Sequence, residues 1–92
     1  MTDNKIIVTV SGVDKIGIVA EVAALTAKYE VNIEDIKQTL MQGHFVMFML
    51  CNTEKSQYSF KAIKEAFTAL GDTMGMEIWV QKKEIVDNMH KI

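Results

Sequence analysis

Val31-Asn32-Ile33-Glu34-Asp35-Ile36-Lys37-Gln38-Thr39-Leu40-Met41-Gln42-Gly43-His44-Phe45-Val46-Met47-Phe48-Met49-Leu50-Cys51 is the stretch on which the fold turns. Side chains alternate faces along a strand, and the first half of this stretch alternates with one defect. Val31 and Ile33 share a phase, whereas Ile36, Gln38 and Leu40 occupy the opposite one, so a bulge or bend near Glu34-Asp35 must join the two halves. Gln42-Gly43 supplies a tight turn, with glycine accepting positive φ. His44 to Cys51 is apolar in both phases, as expected of a strand covered on both sides. Two strands joined by so short a turn pair antiparallel. A central hairpin is the expectation.

Upstream, Lys5 to Ser11 alternates Ile6, Val8 and Val10 against Ile7, Thr9 and Ser11, which reads as a strand ended by Gly12. After the connection Val13–Gly17, Ile18, Val22, Leu25 and Tyr29 form one helical stripe, with Glu21 and Lys28 on the wet side. Asp14 is the expected N-cap, its carboxylate accepting free amides at the helix start. Downstream, Asn52 to Lys55 is a polar loop and Ser56 the expected cap of a second helix. Its stripe is Phe60, Ile63, Phe67, Leu70 and Met74, interrupted by Gly71 and ended at Gly75. Met76 to Lys82 alternates again, and the tail Lys83–Ile92 spaces Ile85, Met89 and Ile92 as a short helix would.

The order is β-α-β, tight turn, β-α-β. Two right-handed crossovers joined by a hairpin predict a ferredoxin-like α+β sandwich: a four-stranded antiparallel sheet of order 4-1-3-2 with two helices on one face. At 92 residues without proline, the chain reads as a single domain over 1–92, with a core over 4–82 and a tail helix over 83–92. Two helices leave the other sheet face open, and that face carries apolar positions. Partial cover by the tail is one expectation; self-association through the face, or through the edge strands Val31–Met41 and Met76–Lys82, is the sharper one.

Bulk properties narrow the function. The net charge of -2 comes from interleaved acids and bases, so no basic stripe points to nucleic acid. The polar Met1–Asn4 start and short apolar runs predict no secretory signal and no membrane span, hence a cytoplasmic protein. The single cysteine, Cys51, reads as a buried small hydrophobe. His44 and His90 have no ligand partners at metal spacing. Glu34 and Asp35 are neighbours on a strand and point apart, and no other set of groups suggests catalysis. Gly12 and Gly17 lack the Lys-Ser/Thr that completes a phosphate loop, so no cofactor is expected.

A binding feature remains. The loop Gly12–Gly17 leads into a helix start, whose free amides favour an anionic group such as a carboxylate. Gly17 would let a ligand or a neighbouring backbone approach closely, and Asn32 offers donors and an acceptor. Equally, Gly17 could serve helix–strand packing and Asn32 the turn after Tyr29-Glu30.

The run Val10-Ser11-Gly12-Val13-Asp14-Lys15-Ile16-Gly17-Ile18-Val19, followed by Asn32-Ile33 in a βαββαβ pattern, resembles the ACT domain family over residues 4–82. The whole chain looks like the free-standing, single-domain members of that family. It is also similar to the amino-terminal ACT repeat of the glycine cleavage system transcriptional repressor. The resemblance implies a non-catalytic regulatory module binding an amino acid or related small ligand between domains. Carried onto this chain, the site is Asp14, Lys15, Ile16, Gly17 and Ile18, with Asn32 and Ile33. It further implies a homo-oligomer, expected to be a dimer, and the expectation that goes with it is action in trans on a metabolic enzyme or regulator. Two other readings stand beside it. One is a structural or protein-interaction module without a ligand. The other is a small acylphosphatase-type hydrolase, for which the chain lacks arginine, its basic residues being lysine.

Overall fold

A computed structural model describes residues 4–89, and of Met89 the backbone alone. The elements run β1 (Lys5–Val13), α1 (Ile18–Lys28), β2 (Asn32–Met41), β3 (His44–Asn52), α2 (Phe60–Met74), β4 (Glu77–Lys82) and α3 (Lys83–Met89). The sheet is antiparallel throughout, in the order β2-β3-β1-β4, which is the expected topology read from the other edge.

The hairpin forms as its sequence requires. Gln42 at φ 51 and Gly43 at φ 81 both take the left-handed conformation that a two-residue turn between twisted strands needs. The phase defect in β2 is a bulge: Ile33 pairs with Cys51 and Asp35 with Leu50, leaving Glu34 as the extra residue. Beyond it, Ile36 faces Met49 and Leu40 faces Phe45, so both point to the helix side.

The core lies between the sheet and the helices. Ile6, Val8 and Val10 of β1, Phe45, Met47, Met49 and Cys51 of β3, and Ile78 and Val80 of β4 are buried against Ile18, Val22, Ile63 and Phe67. Burying a side chain of this kind stabilises by roughly 1.5–3 kcal/mol, so the alternation in the strands and the helical stripes carry most of the driving force. Among the described residues one polar side chain joins the core, that of Thr26, whose hydroxyl donates to the carbonyl of Ala23 at 2.6 Å.

Three local expectations need correction. β1 does not stop at Gly12 but continues to Val13, because β3 offers partners as far as His44. The cap of α2 is Ser59, whose hydroxyl accepts from the amide of Ala62 at 3.1 Å. Ser56 instead donates to the carbonyl of Tyr29 at 2.6 Å, tying the loop after β3 to the end of α1. And β3 is not covered on both sides: Phe48 is 52 % exposed, as is Trp79 of β4 at 60 %. The tail forms a helix as far as Met89 with Ile85 exposed, while Ile92 lies outside the described residues. No helix among the described residues is long and apolar enough to cross a membrane.

Candidate functional site

The loop between β1 and α1 stands at the hairpin end of the sheet, where Val13 pairs with His44. Its first residue is not the helix cap. Asp14 is exposed and its amide donates to the carbonyl of Gly43 at 3.0 Å, so the lengthened β1 keeps it bound to the hairpin. The cap is Gly17, in the left-handed conformation at φ 89 and ψ 3, with no side chain capping the helix. A Cβ added at Gly17 would meet nothing within 4 Å, so helix–strand packing does not require a glycine there; the backbone conformation does. The first helical hydrogen bond runs from the amide of Glu21 to the carbonyl of Gly17 at 2.9 Å. The amides of Ile18, Val19 and Ala20 precede it and point out of the helix end, the arrangement that favours an anionic group.

The side chains of this loop differ in availability. Lys15 donates through Nζ to the carbonyl of Met74 at the end of α2. Ile16 is wholly exposed at the loop tip, an unshielded apolar side chain. Ile18 is buried in the core and can offer a ligand only its backbone.

Asn32 and Ile33 stand at the other end of the sheet, where Asn32, Asn52 and Lys5 share one row. Between them and Gly17 lies the 11-residue helix α1, roughly 16 Å long. One chain therefore does not bring the two halves of the sequence-predicted site together. Ile33 is half-buried against its own core, whereas Asn32 is exposed. The turn before it is built by backbone bonds, Glu30 to Ala27 and Val31 to Thr26, so Asn32 is not spent on turn chemistry.

Asn32 lines an open cleft of about 530 Å³ with Ala27, Glu30, Val31, Asn52, Glu54 and Lys55. Sequence reasoning missed these companions, because they come from two turns separated in the chain and joined by the pairing of β2 with β3. The polar run Asn52 to Lys55, at the end of a strand pairing with Asn32, was the available signal. Beside the cleft, the bulge aims Glu34 at Lys5 Nζ, 3.1 Å away, and at Asn52 Nδ2, 3.2 Å away. Those two contacts, Lys5 first, hold the Glu34 carboxyl below the usual carboxylate range.

The remaining candidates offer little chemistry. His44 Nε2 and Ser11 Oγ are 3.0 Å apart at an exposed position. His90 lies outside the described residues. Among the described residues no three His, Cys, Asp or Glu side chains converge as a metal site. Burial, and secondarily the charge of Glu34, pushes the Cys51 thiol up to about 12, consistent with a packed and inert side chain.

Comparison with known proteins identifies the family. A model of the ACT domain matches residues 4–81. A UPF0237 protein of Methanosarcina acetivorans is 42% identical over 92 residues, covering 100% of both chains. Among solved structures, an ACT domain protein from Streptococcus pneumoniae superposes with a TM-score of 0.81 at 35% identity, over 92% of this chain and 96% of that one. A protein described as a glycine cleavage system transcriptional repressor shares the fold, with a TM-score of 0.75 at 22% identity over 85% of this chain and 44% of that one. The chain belongs to the ACT domain family, among its UPF0237 proteins.

Proposed function

We propose that this chain senses an amino acid or a related small metabolite between two copies of itself, and acts in trans on a metabolic enzyme or regulator in the cytoplasm. ACT domains are regulatory ligand-binding modules, and that membership supports a non-catalytic role. The observation that carries the reading is the separation of the two half-sites. The exposed loop at Asp14–Ile18 and the exposed Asn32 stand at opposite ends of one molecule. The edge strand β2 runs from one end to the other and leaves Ile36 and Leu40 uncovered on its helix side. Two copies set side by side along this edge, antiparallel, bring the loop of each beside Asn32 of the other. A carboxylate would then meet the amides at the start of α1, and the Asn32 amide would read the polar end.

The contacts of Asp14 with Gly43 and of Lys15 with Met74 favour a second reading, in which the loop is an internal brace and the module only binds protein. A thermal-shift panel of the common amino acids at millimolar concentration separates the two. A ligand present at about 100 times its Kd adds about 2.7 kcal/mol of stability, which is easily read. Asn32→Ala, at an exposed position, should abolish the response and leave the unliganded melting point in place. A panel that moves no midpoint removes the sensing function; an undiminished response in Asn32→Ala removes the site. Gly17→Val is a weaker probe, because its φ of 89 strains any side chain.

A further inference from the structure

The sheet face away from the helices has its own pattern. Its middle row runs Lys37, Phe48, Thr9 and Trp79 across β2, β3, β1 and β4. Phe48 and Trp79 are each more than half exposed and flank the small Thr9. Two large aromatic side chains left this open on one face are unusual for a chain that works alone.

We propose that a second copy of the chain packs on this face, related by a twofold axis parallel to the strands and lying between β3 and β1. A pure twofold along the strands keeps every residue at its own level, so each row must meet itself reversed. In the middle row Phe48 lies over Thr9 of the second copy, filling the hollow between its aromatics, and Lys37 lies over the ring of Trp79. Each copy makes that cation–π contact, so it occurs twice. The flanking rows also fit. Leu50 meets Ile7 and Val46 meets Ser11; at the margins, Asp35 meets Gln81 and Glu77 meets Thr39, each acid facing a donor.

The competing twofold, across the strands, would set Lys37 over Lys37 and Trp79 over Trp79. Charge therefore selects the first axis. Sheets pack with a rotation of about 30°, which displaces the edge strands by about 4 Å, within the reach of a lysine. The face covers roughly 500 Å² per copy from strand spacing and rise, the small end of specific interfaces, so a micromolar dimer is expected. This contact uses the open face and not the β2 edge, and it does not depend on the ligand site.

Trp79 is the single tryptophan, so its emission reports directly on this face. The full chain is diluted across the micromolar range while fluorescence and sedimentation are read together. Emission should move to longer wavelength as the face contact separates and the mass halves. Lys37→Ala, at an exposed position, should raise the dimer Kd about tenfold through loss of both cation–π contacts. Under the competing axis the same change tightens the dimer, which would overturn the proposed arrangement. The double variant Phe48→Ser, Trp79→Ser should lose this dissociation step from its sedimentation profile. A dimer whose emission does not change on dissociation places the contact elsewhere and overturns the proposal, leaving the amino-acid panel unaffected. A monomer at all concentrations overturns it too.

Discussion

Gly71→Ala pits two physical effects against each other inside α2, and the structure decides the sign. Gly71 lies within the helix Phe60–Met74. Helix propensity alone favours alanine there by about 1 kcal/mol. Yet the chain reverses through Gly75 at φ 71, and the amide of Met76 donates back to the Gly71 carbonyl at 2.9 Å. A Cβ at Gly71 would stand 2.7 Å from the Met76 carbonyl oxygen and 3.2 Å from Ile78 Cγ1. The nearest obstacle is backbone at the entry to β4, which cannot rotate away. Moving it displaces Met76 and Ile78, both core residues. Overpacking of this kind costs about 3 kcal/mol, so the net loss after the propensity gain is about 2 kcal/mol. For a domain of this size the melting midpoint should fall by about 10 °C. Urea unfolding followed by far-ultraviolet circular dichroism, with thermal melts, measures both. A variant as stable as the parent, or more so, would refute the close approach of β4 to α2.

Gln42 takes φ 51 at the first turn position, a conformation that costs most side chains about 1 kcal/mol. Gln42→Asn should therefore stabilise the domain by about 0.5–1 kcal/mol in the same denaturation assay, since asparagine tolerates this region. Cys51 should resist thiol reagents in the native state and react at the rate of unfolding. Its thiol is pushed up to about 12 from 9.0, so its contribution to stability is complete below pH 9 and is lost between there and 12, as the unfolded chain ionises first. Melting of Cys51→Ala against the parent across that alkaline range checks the sign.

The hairpin and the bulge were legible because each follows from local rules: positive φ at Gln42-Gly43, and a change of alternation that only one extra residue can repair. The helical stripes were legible for the same reason. The caps were not. Ser56 and Ser59 both precede Phe60, and only the tertiary contact of Ser56 with Tyr29 decides which of them caps. Asp14 failed as a cap because β3 extends β1 by two residues, a nonlocal pairing that local propensity does not register. The loop half of the candidate site could be read from Gly17, but its distance from Asn32 follows from topology, and the cleft companions Glu30, Asn52 and Glu54 follow from register.

The extra residue at Glu34 fixes the arithmetic of the chain. Upstream of it, Ile33 points to the core, and downstream Ile36 and Leu40 do so only because Glu34 is counted but not paired. Removing one residue between Ile36 and Leu40 would set those two side chains on opposite faces of the sheet, whereas removing Glu34 itself would restore plain alternation and leave Ile33, Ile36 and Leu40 on the helix side. An edge strand exposed to solvent usually tolerates drift in length; this one does so only at its bulge. Descendants of this chain can exchange the side chains of β2 freely at many positions, yet from Asp35 to the hairpin they inherit its length as a constraint.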